Sequence, residues 1–130
     1  MVIEIPRIHR QYLDMLVEAE VYPNEKTAST RVFQHGLNET EFDAWTRTAP
    51  DMDFDVLRGE QAAIQVPDNT EYRERLEQIS RQYKISVAEA AALSFLQGLF
   101  GHHLALEDSA LYKQDTDFRR KVDEMPTDVC

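Results

Sequence analysis

At 130 residues and 42% hydrophobic content, the chain has enough apolar material for one modest core, or for two small units sharing one. It contains no apolar run of bilayer-spanning length and opens without the basic-then-apolar pattern of a signal peptide. Its single cysteine, Cys130, leaves no internal disulfide, so the expectation is a cytoplasmic protein without a membrane segment. The formal net charge of −10 works against indiscriminate nucleic-acid binding. The acid is unevenly spread. Residues 1–45 hold four Lys/Arg against eight Asp/Glu, residues 46–60 two against four, residues 61–105 four against five and residues 106–130 four against seven. The stretch 61–105 is therefore nearly neutral and is the first place to seek a nucleic-acid contact.

In chain order, Val2 to Ile5 has the composition of a short strand, and Pro6 stops it. Ile8, Tyr12, Met15, Leu16 and Ala19 mark an amphipathic helix that cannot continue past Pro23. Asn24 is placed to cap a second helix carrying Ala28, Val32, Phe33 and Leu37. Asn38-Glu39-Thr40-Glu41 has the form of another cap, for an extra helix holding Phe42 and Trp45, and Pro50 to Glu60 forms an acidic connector.

Ala62-Ala63-Ile64-Gln65-Val66 is the second candidate strand, halted at Pro67. Asp68-Asn69-Thr70-Glu71 has capping-box form and precedes a helix whose apolar stripe is Tyr72, Leu76, Ile79 and Tyr83. Lys84-Ile85 makes a turn, and Ser86-Val87-Ala88-Glu89 is a second capping box. It opens an Ala- and Leu-rich helix expected to bury Val87, Ala91, Phe95 and Leu99 and to fray near Gly101-His102-His103. One or two short helices follow, with Leu111, Tyr112, Phe118 and Val122 as docking candidates. The division expected is a first helical unit over 1–48, the connector over 49–60, a second unit over 61–104 and a helical tail over 105–130.

The two halves echo one another. Ile3-Glu4-Ile5-Pro6 leads to Phe33-Gln34-His35-Gly36-Leu37, and Ile64-Gln65-Val66-Pro67 leads to Phe95-Leu96-Gln97-Gly98-Leu99, with spacings that differ by one residue. Strand, helix, helix at this spacing resembles the ribbon-helix-helix superfamily of Arc, MetJ and CopG type, most closely over Ile64 to Leu99. The resemblance implies a mainly α fold with short β strands and extra helices, as a tandem pseudo-dimer within one chain or a homodimer. One unit alone leaves its strand without a partner, and two units pair their strands and interlock their helices. The function it implies is DNA-binding transcriptional regulation, as a repressor, an antitoxin, or a plasmid or phage accessory protein, with the ribbon in the major groove.

With Ile64 and Val66 facing inward, Ala63 and Gln65 face outward, and Gln61 lies just ahead of them. The resemblance makes Gln61, Ala63 and Gln65 base-facing and Arg58 a nearby cation, with Ser86 and Val87 holding a phosphate at the start of the second helix. The corresponding outward positions of the first copy are Val2 and Glu4. Glu accepts a hydrogen bond from cytosine N4, but a carboxylate beside phosphates departs from the family pattern; Arg7, Arg10 and Arg58 are the cations placed to offset it. The competing reading is an acidic adaptor, inhibitor or DNA mimic that binds a basic protein partner; a purely structural helical adaptor is the third.

Other chemistry finds little support. Asp51, Asp53 and Asp55 begin like a calcium loop, but Val56 and Ala62 stand where Gly and Glu are required. His102 and His103 are adjacent and point apart on a helix, which suits a helix C-terminus better than a zinc site. Four glycines and no phosphate loop argue against nucleotide hydrolysis, and Cys130 has no evident base; no cofactor and no enzymatic activity are expected. The Arg73, Arg75, Arg81 and Lys84 group alternates with Glu71, Glu74 and Glu77, as on a solvated face.

Overall fold

The computed structural model describes residues 1–37 and 60–125. Its elements are β1 (Val2–Pro6), α1 (Arg7–Glu18), α2 (Glu25–Gly36), β2 (Gln61–Gln65), α3 (Thr70–Tyr83), α4 (Val87–Glu107), α5 (Ala110–Gln114) and α6 (Thr116–Asp123). The expected extra helix with Phe42 and Trp45, the aspartates 51, 53 and 55, Arg58 and the connector up to residue 59 lie outside the described residues.

β1 and β2, some sixty residues apart in the chain, pair antiparallel as a two-stranded ribbon. A five-residue strand by itself leaves its N–H and C=O groups without partners, and pairing answers both strands at once. The register sets Val2 opposite Gln65, Ile3 opposite Ile64, Glu4 opposite Ala63 and Ile5 opposite Ala62. Backbone bonds from Val66 N–H to the Met1 carbonyl (2.9 Å) and from Arg7 N–H to the Glu60 carbonyl (3.1 Å) extend the ladder at both ends. Ile3, Ile5, Ala62 and Ile64 point into the core, so the period-two pattern fixes which face is wet.

The helices pack under this ribbon in a reciprocal way. α2 lies against β2 and α4 against β1, so each half's second helix covers the other half's strand. α2 and α4 form the largest helix–helix contact, with α1 packed on α2 and α3 on α4. Gly36 and Gly98 are what let them close. A Cβ on Gly36 would collide with the Ser94 carbonyl and come to 2.9 Å from the Gly98 nitrogen. One on Gly98 would collide with the Val32 carbonyl and come to 2.8 Å from the Gly36 nitrogen. The halves therefore meet at equivalent residues in both layers: Ile3 on Ile64 in the ribbon, Gly36 on Gly98 beneath it.

Local signals account for most helix starts. Asn24 accepts from Thr27 N–H at 2.8 Å to cap α2, and Ser86 and Glu89 form the reciprocal capping box of α4. Lys84, at φ 55°, takes the left-handed conformation that ends α3. Five expectations are corrected. α3 is capped by Asn69, which accepts from Tyr72 N–H, whereas Asp68 is drawn into a two-point ion pair with Arg73 (2.6 and 2.8 Å). α4 does not fray at Gly101; it runs on to Glu107, because packing on several sides stabilises it past a residue that costs about 1 kcal/mol in a helix. Val87 is 42% exposed, since the first turn of α4 projects beyond the core, while Ala91, Phe95 and Leu99 are buried as expected. Ile8 is 41% exposed and Leu111 53%; in α1 the buried stripe instead runs through His9, Tyr12, Leu13 and Leu16. In the tail, Phe118 and Val122 of α6 dock on the core.

Candidate nucleic-acid interface

The outer face of the ribbon presents Val2, Glu4, Ala63 and Gln65 to solvent, the side alternation expected of strands whose isoleucines are buried. Register groups them into two corners. Val2 and Gln65 face each other across the strands at one, Glu4 and Ala63 at the other. Val2 is 59% exposed. Ser29 Oγ donates to the Gln65 carbonyl at 2.8 Å, tying the start of α2 to the end of β2 and holding the Gln65 backbone in place.

An open groove of about 330 Å³ runs beside the first corner, between the ribbon and the helices, with Val2, Ala63 and Gln65 on one side and Arg10, Glu25 and Lys26 on the other. Arg10 pairs with Glu25 at 3.3 Å, and Arg7, at the ribbon's end, pairs with Glu60 at 3.3 Å. The Arg7–Glu60 pair is solvent-exposed and weakly held, so that guanidinium can exchange its carboxylate for another anion at small cost, whereas the Arg10–Glu25 pair is half-buried. Lys26 sits in the first turn of α2, close to Gln65.

The residues expected at a DNA contact are dispersed over this surface. Ala63 and Gln65 lie on the outer ribbon face. Gln61 is half-buried opposite Pro6 at the ribbon's far end. Arg58 is outside the described residues. Ser86 and Val87 are exposed at the start of α4, where the capping box already engages the Ser86 and Glu89 N–H groups (3.1 and 3.0 Å) and sets the Glu89 carboxylate beside them. Lys26 was not anticipated. Its signal lay in the echo: Asn24 and Ser86 are equivalent caps, so Lys26 in α2 corresponds to Ala88 in α4.

A second polar cluster lies within the helices. Tyr22 Oη is 2.7 Å from His102 Nε2, Tyr12 Oη is 3.3 Å from His102 Nδ1 and 3.4 Å from His103 Nδ1, and His103 Nε2 is 3.0 Å from Glu107. The proton directions follow from the acidic end. Glu107 as a carboxylate only accepts, so His103 carries its proton on Nε2 and accepts at Nδ1 from Tyr12. Tyr12 then accepts from His102 Nδ1–H, and Tyr22 donates to His102 Nε2. Tyr12, His102 and His103 each donate once and accept once, between Tyr22 as the donor at one end and Glu107 as the acceptor at the other. Burial, with His35 and His103 nearby, lowers the His102 pKa to about 4, and burial, with Tyr22 and Glu107 nearby, raises that of Tyr12. Tyr12 is fully buried and His102 nearly so, whereas Tyr22, His103 and Glu107 are partly exposed; the chain of hydrogen bonds joins α1, the α1–α2 turn and α4. The adjacent histidines thus sit within α4 and are held by tyrosines and Glu107, which corrects their assignment to a helix end.

Among the described residues no group of three or more His, Cys, Asp or Glu is placed to hold a metal ion, and no helix is long and apolar enough to cross a membrane. No protein-family model, curated protein or solved structure matches the chain.

Proposed function

We propose that the protein is a sequence-specific DNA-binding regulator of ribbon-helix-helix type, in which one chain supplies both halves of the ribbon as a tandem pseudo-dimer. The observation that carries this reading is the strand register. Ile3 lies opposite Ile64, the equivalent residues of the two repeats, and the residues turned to solvent are the alternate positions Val2, Glu4, Ala63 and Gln65. A two-stranded ribbon has the width to enter the major groove and needs no deformation of its backbone to present those side chains. Arg7, Arg10 and Lys26 border it and are the cations nearest a phosphate backbone.

With three such cations, the salt dependence of binding is shallow, at a slope of roughly −3 in log K against log salt. The test is binding to DNA from the gene's own upstream region against a scrambled fragment, across a salt series. Specific binding is expected, with Gln65→Ala reducing it roughly tenfold or more at unchanged fold, the size of one lost bidentate base contact. Equal affinity for the two fragments at low salt rejects the reading.

A second reading keeps the architecture and makes the partner a basic protein surface. The exposed Glu4 on the ribbon and the net charge of −10 favour it. It predicts retention of a basic partner that Glu4→Gln weakens and that DNA does not displace.

A further inference from the structure

The ribbon's two corners are related by the repeat yet chemically different. Position for position, Glu4 of β1 corresponds to Gln65 of β2, and Val2 to Ala63. The antiparallel register sets each of these opposite the other's counterpart, with the Ile3–Ile64 pair at the centre. A symmetric dimer would present the same corner twice and read an inverted repeat. Here one corner is Gln65 with Val2 and the other Glu4 with Ala63, all four exposed.

The flanks differ in the same sense. Lys26 stands beside Gln65, in the first turn of α2, the helix packed on β2. Its equivalent in α4, the helix packed on β1, is Ala88, and the next residue is the acidic Glu89. One half of the interface therefore carries an amide reader with a cation in the first turn of the adjoining helix. The other carries a carboxylate reader with Ala88 at the equivalent position and Arg7, paired with Glu60, at the ribbon's end.

We infer that the ribbon recognises a non-palindromic duplex site: Gln65 and Val2 take an A·T pair at one corner, and Glu4 and Ala63 take a cytosine of a C·G pair at the other. The amide of Gln65 donates to adenine N7 and accepts from adenine N6, with the Val2 methyls at hand for a thymine methyl. The Glu4 carboxylate is acceptor-only and is matched in the major groove by the cytosine N4 amino group, which the small Ala63 leaves room to approach. The carboxylate also lowers affinity on that side through repulsion from the phosphates, so the Gln65 half supplies most of the binding. This inference rests on the DNA-binding reading and deepens it to the class of site.

The experiment is selection of bound duplexes from a randomised library, with the full chain and with Glu4→Gln and Gln65→Glu in parallel. Because both side chains are exposed, both variants are expected to melt with the wild type. The wild type is expected to enrich an asymmetric motif. Glu4→Gln is expected to convert only the cytosine half, giving an inverted repeat bound roughly tenfold tighter as a phosphate-facing carboxylate is lost, while Gln65→Glu converts the opposite half and weakens binding. An inverted repeat enriched by the wild type, or a motif unchanged by Glu4→Gln, overturns the assignment of the corners while leaving DNA binding intact. No enrichment by any of the three proteins at low salt overturns DNA binding itself, and the inference with it.

Discussion

His9 is the residue whose burial is least compensated. It has no exposed surface, and neither ring nitrogen has a hydrogen-bond partner among the described residues. Burial lowers its pKa to about 4, so the ring is neutral in the fold, and even a neutral imidazole costs free energy where it bonds to nothing. His9→Leu is expected to stabilise the protein at pH 7 by about 1–3 kcal/mol, measured by urea unfolding; a loss of stability would show that the ring has a partner. The pH dependence has a definite sign. The folded pKa values of His9 and His102 are about 4, below the unfolded value of 6.5, so the unfolded chain binds more protons in that interval. Their contribution is complete above pH 6.5 and is lost as pH falls toward 4, at most on the order of 3 kcal/mol for each histidine. Unfolding at pH 7 and pH 5 should show this decline, and His9→Leu should flatten it. A wild type equally stable at both values contradicts the neutral buried state. Neither histidine was legible from the sequence. An i, i+4 apolar count passes over His9, and Gly101 beside His102 imitates a helix end; only the tertiary partners Tyr12 and Tyr22 show that His102 is interior.

At the scale of elements, the molecule depends on how closely α2 and α4 approach. Gly98 inside a helix costs about 1 kcal/mol relative to alanine, so an exposed Gly98→Ala would be stabilising. Here the sign reverses, because the added Cβ collides with the Val32 carbonyl, which is backbone and cannot swing aside. Gly98→Ala and Gly36→Ala are each expected to cost about 1–3 kcal/mol net in chemical unfolding. Gly101→Ala, in the same helix, serves as the comparison for propensity alone. A Gly98→Ala protein as stable as the Gly101→Ala one would mean that the helices have slack at the crossing. The elements themselves were largely readable, because strands, caps and stripes are local: Asn24, Lys84 and the Ser86–Glu89 box all act within a few residues. Where reading failed, a distant group had won. Arg73 captured Asp68 and moved the cap of α3 to Asn69. The glycine of each echo motif was visible, but the reason for it lies in the other half of the chain.

For the whole molecule, the alternation in each strand showed which residues face outward, and the echo raised the possibility of pairing. Neither distinguishes pairing within a chain from pairing between two, since the same backbone bonds satisfy both. The structure pairs β1 with β2 of the same chain, with each half's second helix under the other's strand, and the proposed tandem pseudo-dimer takes this pairing as self-contained. Unfolding of a self-contained chain does not depend on protein concentration, whereas a dimer that shares its ribbon gains stability by mass action. The melting temperature is therefore expected to stay constant over a hundredfold range of concentration, with light scattering giving the mass of one chain. A rise with concentration would indicate strands exchanged between copies. Salt is expected to act in opposite directions on the stability of the fold and on the proposed DNA contact. A net charge of −10 strains the folded state by self-repulsion, and added salt screens it, so the melting temperature is expected to climb by a few degrees from low salt to about 0.5 M. On the proposed DNA-binding reading, affinity for DNA is governed by contacts to phosphates and is expected to fall over the same range. Measuring both curves on one preparation separates them: affinity that falls while the fold stabilises comes from the interface, whereas affinity and stability falling together would trace the loss of binding to unfolding.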